Sequence, residues 1–241
     1  MSYQHGTAVY NTAFSSAEGL QITFDYAAYG GNEADGISFF LIDGNTTNPT
    51  MGAHFGYLPR APNVEPGVTN GYMGVVLNEY AGCDSQPPTV PPCQYDHVAV
   101  VGAGSLYGGF TGLHAVPLAG TAVGKIAPVD RARIVRVTIS PVTPATLYPK
   151  VTVEIDPNDG VTGFVKLIDA FSLAGNGAVP KTFKMGFGAS TGARKHIHEV
   201  RIRSAKTLVS AVPALEQSTL GALAVLLALL TLPALRRCLN G

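Results

Sequence analysis

Apolar residues fall on every second position in several stretches of the chain, the signature of a half-buried strand. In Leu20-Gln21-Ile22-Thr23-Phe24-Asp25-Tyr26 the alternation is complete. It returns at Val135, Val137 and Ile139, at Val151, Val153 and Ile155, and at Phe183, Met185 and Phe187. It returns again at His198, Val200 and Ile202, which predicts Glu199, Arg201 and Arg203 on the outer face. Ile37 to Ile42 and Val98 to Val101 are continuous apolar runs and predict strands buried on both faces. Turn residues separate the runs at Tyr29-Gly30-Gly31-Asn32, Asp43-Gly44-Asn45, Pro157-Asn158-Asp159-Gly160 and Gly175-Asn176-Gly177. Before residue 217 no segment holds a helical period beyond two turns. The pattern predicts an all-β chain: a β-sandwich of two antiparallel sheets in one domain, residues 1–205, followed by a short linker, 206–216.

Composition agrees. The 241 residues are 46% hydrophobic and 13% charged, which suits a globular chain and not a disordered one. Sixteen basic and sixteen acidic residues cancel, so no nucleic-acid partner is expected. The 28 glycines and 17 prolines fit a chain of short strands and many turns.

The C-terminal end has a different character. Gln217 to Leu235 holds no charge and is rich in leucine. As a helix it spans about 28 Å, close to the thickness of a bilayer core. Arg236 and Arg237 follow. The expectation is a transmembrane helix over 217–237, with residues 238–241 as a cytoplasmic tail and the preceding domain outside. The alternative is a buried C-terminal helix. The first residues show neither a basic nor an apolar leader segment, so an exported domain implies an N-terminal segment missing from this sequence. Cys83 and Cys93 stand ten residues apart in a Pro-rich loop. In an exported domain such a pair is expected to form a disulfide, against the alternative of two free thiols. Cys238, beyond the membrane segment, is expected to be unpaired.

Several chemistries are disfavoured. Gly102, Gly104 and Gly108 follow an apolar strand but with the wrong spacing for a dinucleotide loop, and no helix pattern follows. Glu154 and Asp156 share a strand face yet precede Pro157 in a turn, so they read as a solvated pair rather than glycosidase carboxylates. No G-x-S-x-G elbow exists. His196 and His198 share a strand face, and either pair on a metal or leave His198 capping the core by a hydrogen bond. Two segments remain. In one, Asp35 stands between a Gly-rich loop and the buried run that begins at Ile37. In the other, Asn78 and Glu79 end the apolar run Val75-Val76-Leu77, with Asp84, Asp96 and His97 further on. Oxygen ligands gathered on a loop suit calcium.

These segments resemble the L-type (legume-type) lectins, in their bacterial branch, over nearly all of residues 6–203. Ala34-Asp35-Gly36-Ile37-Ser38-Phe39-Phe40-Leu41 resembles the A-D-G strand, and Gly52-Ala53-His54-Phe55-Gly56-Tyr57 resembles the G-G-x-L-G loop. Val76-Leu77-Asn78-Glu79-Tyr80 resembles the metal-loop strand, and Asp96-His97-Val98-Ala99-Val100 the D-H strand after it. Phe187-Gly188-Ala189-Ser190-Thr191-Gly192 with His198-Glu199-Val200 resembles the A-S-T-G loop and its following strand. The resemblance implies a concanavalin-like jelly roll that binds glycans without catalysis. Asp35, after Ala34, would accept sugar hydroxyls. A backbone N–H around Gly52, Ala53 or His54 would donate to the same sugar, and Thr191 and Gly192 would shape the rim, which extends to His196. With no tryptophan in the chain, Tyr29 and Tyr80 would supply the aromatic wall.

The departures concern metal. Asn78 replaces the chelating aspartate, Val76 a transition-metal glutamate, and Ala53 the second glycine. A transition metal is therefore not expected. Calcium is either weakly held, by Asn78, the Tyr80 carbonyl, Asp84, Asp96 and His97, or absent. Val212-Pro213-Ala214-Leu215, the apolar segment and Arg236-Arg237 resemble bacterial I-P-T-L sorting signals, with Ala214 for Thr. That implies an exosortase-like processing protease as partner and location in the cell envelope or at the surface. An oligomer is compatible with the resemblance. The alternative function is a lectin-like structural or adhesion module that has lost sugar and metal.

Overall fold

The computed structural model describes residues 4–60, 65–80, 96–126 and 131–209. These residues form strands and turns, with no helix among them. The strands are β1 (His5–Ser15), β2 (Leu20–Tyr29), β3 (Gly36–Asp43), β4 (Gly71–Asn78), β5 (His97–Val101), β6 (Gly104–Ser105), β7 (Gly108–Gly109), β8 (Gly112–Pro117), β9 (Arg133–Ile139), β10 (Lys150–Asp156), β11 (Val165–Ser172), β12 (Thr182–Ser190) and β13 (Ile197–Lys206).

Two antiparallel sheets result. One runs β1-β12-β3-β4-β5-β8, with β6 on β4 and β7 on β6, and the other runs β11-β10-β9-β2-β13. Every alternating or continuous run named above lies in a strand, because in-out alternation leaves a sheet as the structure that buries each apolar set on one face. Ile22, Phe24 and Tyr26 of β2 meet Val135, Val137 and Ile139 of β9 and Val151, Val153 and Ile155 of β10 in the core between the sheets.

The continuous runs have a specific cause. On β3, Ile37, Phe39 and Leu41 enter the inter-sheet core. Phe40 and Ile42 point to the opposite face, into a second core with Phe55, Tyr57, Leu58, Val68, Val76, Val101 and Phe110. Phe55, Tyr57, Leu58 and Val68 thus roof the outer face of the larger sheet, so that β3, β4 and β5 are buried on both sides. Small residues admit the roof. A Cβ at Gly74 would stand 2.9 Å from the Tyr57 ring. That ring is fully buried, stacks 5.6 Å from Phe40, and its hydroxyl donates to the Gly102 carbonyl at 3.0 Å.

Three features differ from the sequence pattern. Strand β1 is an edge strand, paired with β12 and largely exposed, so its sequence lacks a buried period. Ile202 is 49% exposed although Val200 packs on the core and the two pair with β2 in one register, Val200 with Tyr26 and Ile202 with Phe24; β13 is the edge strand of the smaller sheet. Strand β13 also runs to Lys206, and the N–H groups of Leu208 and Val209 both donate to the Glu18 carbonyl. Met1–Val209 form one compact unit. Cys83, Asp84, Cys93, the processing block 212–215, the 217–237 segment and Cys238 lie outside the described residues.

Candidate functional site

Asp35 precedes β3, and its backbone is pinned from both sides. Its N–H donates to the Ser190 carbonyl at 2.9 Å, and its carbonyl accepts the Glu79 N–H at 3.0 Å. Its side chain is half-buried and is oriented by β12, where the Ser190 hydroxyl donates to Asp35 Oδ2 at 2.9 Å. The same hydroxyl accepts the Phe55 N–H at 2.9 Å, and the Phe55 carbonyl accepts from Ser38 Oγ at 2.7 Å. One buried serine therefore ties the loop around Phe55 to the Asp35 carboxylate. Gly192 closes the other flank, where a Cβ would stand 3.1 Å from Asp35 Oδ1. A carboxylate held this way presents its remaining lone pairs to a hydroxyl-bearing ligand at no cost in reorganisation.

The Gly52–His54 segment sits beside this carboxylate but its amides are spent. Gly52 N–H donates to the Gly56 carbonyl, Ala53 N–H to the Pro66 carbonyl and His54 N–H to the Leu58 carbonyl, at 3.1, 3.1 and 2.9 Å. The loop is short and buried, so each N–H has to find an acceptor within it or in the adjoining chain. The His54 side chain is half-buried. Its Nε2 is buried with no hydrogen-bond partner. Burial lowers the His54 pKa, against the opposing charge of nearby Asp35. Thr191 is tied to the start of the chain: its N–H donates to the Gln4 carbonyl at 2.7 Å, and its hydroxyl accepts the Gln4 N–H at 3.1 Å.

The calcium residues are arranged as a hydrogen-bonded turn. Asn78 Oδ1 accepts the Tyr80 N–H at 2.9 Å, and Asn78 Nδ2 lies 3.5 Å from His97 Nε2. Asp96 Oδ1 accepts the Ile126 N–H at 2.9 Å, and burial raises the Asp96 pKa. Tyr80 lies under the Arg194 guanidinium, 4.9 Å from the ring centroid. Calcium takes about six to eight oxygen ligands. Among the described members of the set, Asp96 offers the carboxylate and Asn78 the amide oxygen, each accepting one backbone N–H, while Asp84 lies outside the described residues.

Glu79, which stands with Asn78 at the end of the apolar run but outside the expected calcium set, is the most buried of the described acids of the region, with 1% of its side chain exposed. His196 Nδ1 lies 2.7 Å from Glu79 Oε2, and His198 Nε2 lies 3.4 Å from Glu79 Oε1. His196 Nε2 accepts the Glu33 N–H at 3.0 Å. Both histidines share one face as the spacing predicts, and they share it with Glu79 rather than with the core alone. A charge placed directly after an apolar strand was the available signal. A cleft of about 370 Å³ lies beside this cluster, lined by residues 28–33 and His196. Tyr29 borders it, its hydroxyl donating to Glu199 Oε1 at 2.6 Å. The other acidic candidates are structural: Glu154 pairs with Arg136 at 3.4 Å, and Asp156 accepts the Asn158 N–H at 2.7 Å.

No protein-family model matches the chain, and no curated protein matches it. Solved structures do. The Bauhinia forficata lectin in complex with GalNAc aligns with a TM-score of 0.55 at 18% identity, over 87% of this chain and 82% of that one. The exoplasmic/lumenal domain of VIP36 in its Ca²⁺/Man-bound form aligns at 0.53 and 14% identity, over 87% and 75%. The metal-free lectin I-B4 of Griffonia simplicifolia aligns at 0.52 and 17%, over 86% and 82%. The chain therefore has the fold of the legume and VIP36-type lectin domains.

Proposed function

We propose that this protein binds carbohydrate, without catalysis, through Asp35. The observation that carries the proposal is the carboxylate itself, fixed by Ser190, flanked by a glycine, and still open on one side. Hydrogen bonds from ligand hydroxyls to such a charged acceptor contribute roughly 1.5–3 kcal/mol each. The His54 ring, rather than the amides of Gly52, Ala53 and His54, supplies the second polar contact. Gly192 and Thr191 form the rim, and Tyr80 an aromatic surface. Mannose, galactose and GalNAc, the sugars bound by lectins of this fold, are the ligands to try first. The domain acts outside the cell, in the envelope or at the surface of a bacterium, and its 217–237 segment enters the inner membrane before cleavage near Val212 to Leu215. The hydrophobicity of that segment and its basic end support this placement.

The test is a glycan array with wild type and Asp35→Asn, each with and without EDTA. The expected result is binding by wild type, loss in Asp35→Asn, and an unchanged thermal midpoint. Equal binding by the variant overturns the site. No binding by folded wild type favours a second reading, a lectin-like structural or adhesion module. The observation behind that reading is the engagement of all three loop amides with backbone carbonyls, those of Gly56, Pro66 and Leu58.

A further inference from the structure

We propose that Glu79, His196 and His198 form a binding site for one zinc-class divalent metal ion, separate from the Asn78–Asp96–His97 turn. The three side chains come from the end of β4, the loop before β13, and β13 itself. One ligand atom from each lies within 4.8 Å of the others. Exposure of the side chains is 1%, 8% and 5%, so the cluster is nine-tenths or more withdrawn from water at every member.

The bonding in the cluster is incomplete. Glu79 Oε2 is satisfied by His196 Nδ1 at 2.7 Å. Glu79 Oε1 and His198 Nε2 are buried and have no hydrogen-bond partner, although they face each other at 3.4 Å. A buried carboxylate oxygen and a buried imidazole nitrogen left unmatched are a costly pair unless something sits between them. A cation satisfies both at once. Two imidazole nitrogens and one carboxylate are a borderline-soft donor set, which suits zinc, whereas calcium prefers oxygen throughout. Donors around tetrahedral zinc stand about 3.4 Å apart, given bond lengths near 2.1 Å. The Glu79–His198 pair already has that separation. The Glu79–His196 pair opens to it when the metal replaces the proton they share.

That replacement has a structural consequence. The Glu33 N–H donates to His196 Nε2, so Nε2 is the acceptor nitrogen and Nδ1 carries the ring proton towards Glu79. Metal at Nδ1 leaves the ring neutral only if its proton moves to Nε2. Two donors then oppose each other, and the Glu33 amide turns off the ring. Glu33 stands at φ +64° in the turn that lines the 370 Å³ cleft. Metal occupancy is thereby coupled to the shape of that cleft, which is also the metal's route of entry past His196.

The proposal does not rest on sugar binding, and its test reads metal directly. Full-length protein is alkylated at its cysteines, dialysed against EDTA and titrated with zinc chloride by calorimetry, with calcium chloride in parallel. Cobalt substitution is followed by visible absorption. The expected result is one zinc per chain, a cobalt spectrum of tetrahedral type, and affinity lowered at least roughly tenfold in both Glu79→Gln and His198→Gln, a lower bound set by the loss seen when even supporting residues of a metal site are removed. Asp35→Asn and His97→Gln retain the zinc. Should Glu79→Gln not fold, His198→Gln and a zinc-dependent rise in the wild-type thermal midpoint carry the test. Folded wild type that takes up no zinc overturns the proposal. So does zinc binding that survives both ligand substitutions, or that is lost in His97→Gln instead.

Discussion

Ser190→Ala removes a single oxygen, and that oxygen serves two masters. In the native fold it accepts the Phe55 N–H and donates to Asp35 Oδ2, both at 2.9 Å, with Ser190 3% exposed. Phe55 is itself 3% exposed, so its amide cannot turn to water once the hydroxyl is gone. An orphaned buried N–H costs about 1–3 kcal/mol. The Asp35 carboxylate is half-buried, and water replaces most of what it loses, adding at most ~0.5 kcal/mol. The expected loss is therefore about 2 kcal/mol. With a urea dependence near 2 kcal/mol per molar, the denaturation midpoint falls by roughly 1 M with its slope unchanged. Ser172→Ala is the control: its hydroxyl accepts the Ala174 N–H at an exposed site, and its removal should stay within about 0.5 kcal/mol. Ser38→Ala probes the other side of the same residue, because Ser38 Oγ donates to the Phe55 carbonyl. The double variant should depart from additivity by at least ~0.5 kcal/mol, since both hydroxyls hold one loop. A Ser190→Ala midpoint equal to wild type would refute the assignment of Ser190 as the tie between the Phe55 loop and Asp35.

Other consequences are open to measurement. Gly192→Ala puts a Cβ 3.1 Å from Asp35 Oδ1, and should lower glycan affinity in a titration while the melting curve barely moves. Tyr57→Phe removes the hydroxyl that donates to the Gly102 carbonyl, a fully buried bond, and should cost about 1 kcal/mol in urea denaturation. Burial lowers the pKa of His54 below its ordinary 6.5, so the unfolded chain binds its proton more readily than the native one. Its contribution to stability is complete above pH 6.5 and is lost as pH falls from there towards the lowered native value. His54→Gln should flatten that part of the stability–pH profile, and a wild-type profile that rises on acidification through this window would contradict the burial argument.

The in-out period of β2, β9, β10 and β12, the continuous runs of β3 and β5, and the turns between strands are local properties, and the amino-acid sequence alone determined them. It also determined which short motifs stand in order along the chain, and so the resemblance to a lectin sandwich, because such motifs are contiguous. Strand β1 was not legible. Its alternate half-buried positions, His5, Thr7 and Val9, mix polar and apolar residues, so the pairing with β12 and not an apolar period marks the strand. The exposure of Ile202 was hidden for a related reason: β13 is an edge strand, and which strand closes a sheet is a property of the whole sheet and not of one strand. The site divides in the same way. Asp35 could be singled out by its neighbours in sequence, whereas the serine that orients it lies 155 residues away. Glu79 and His196 are 117 residues apart and meet because β3 and β4 are paired and the turn before β3 hydrogen-bonds to the loop before β13. Whether an amide of residues 52–54 is free or spent depends on the acceptors that the folded loop brings to it. Side-chain type and spacing set what each residue is able to do; the pairing of distant strands decided which of them met, and which were already occupied.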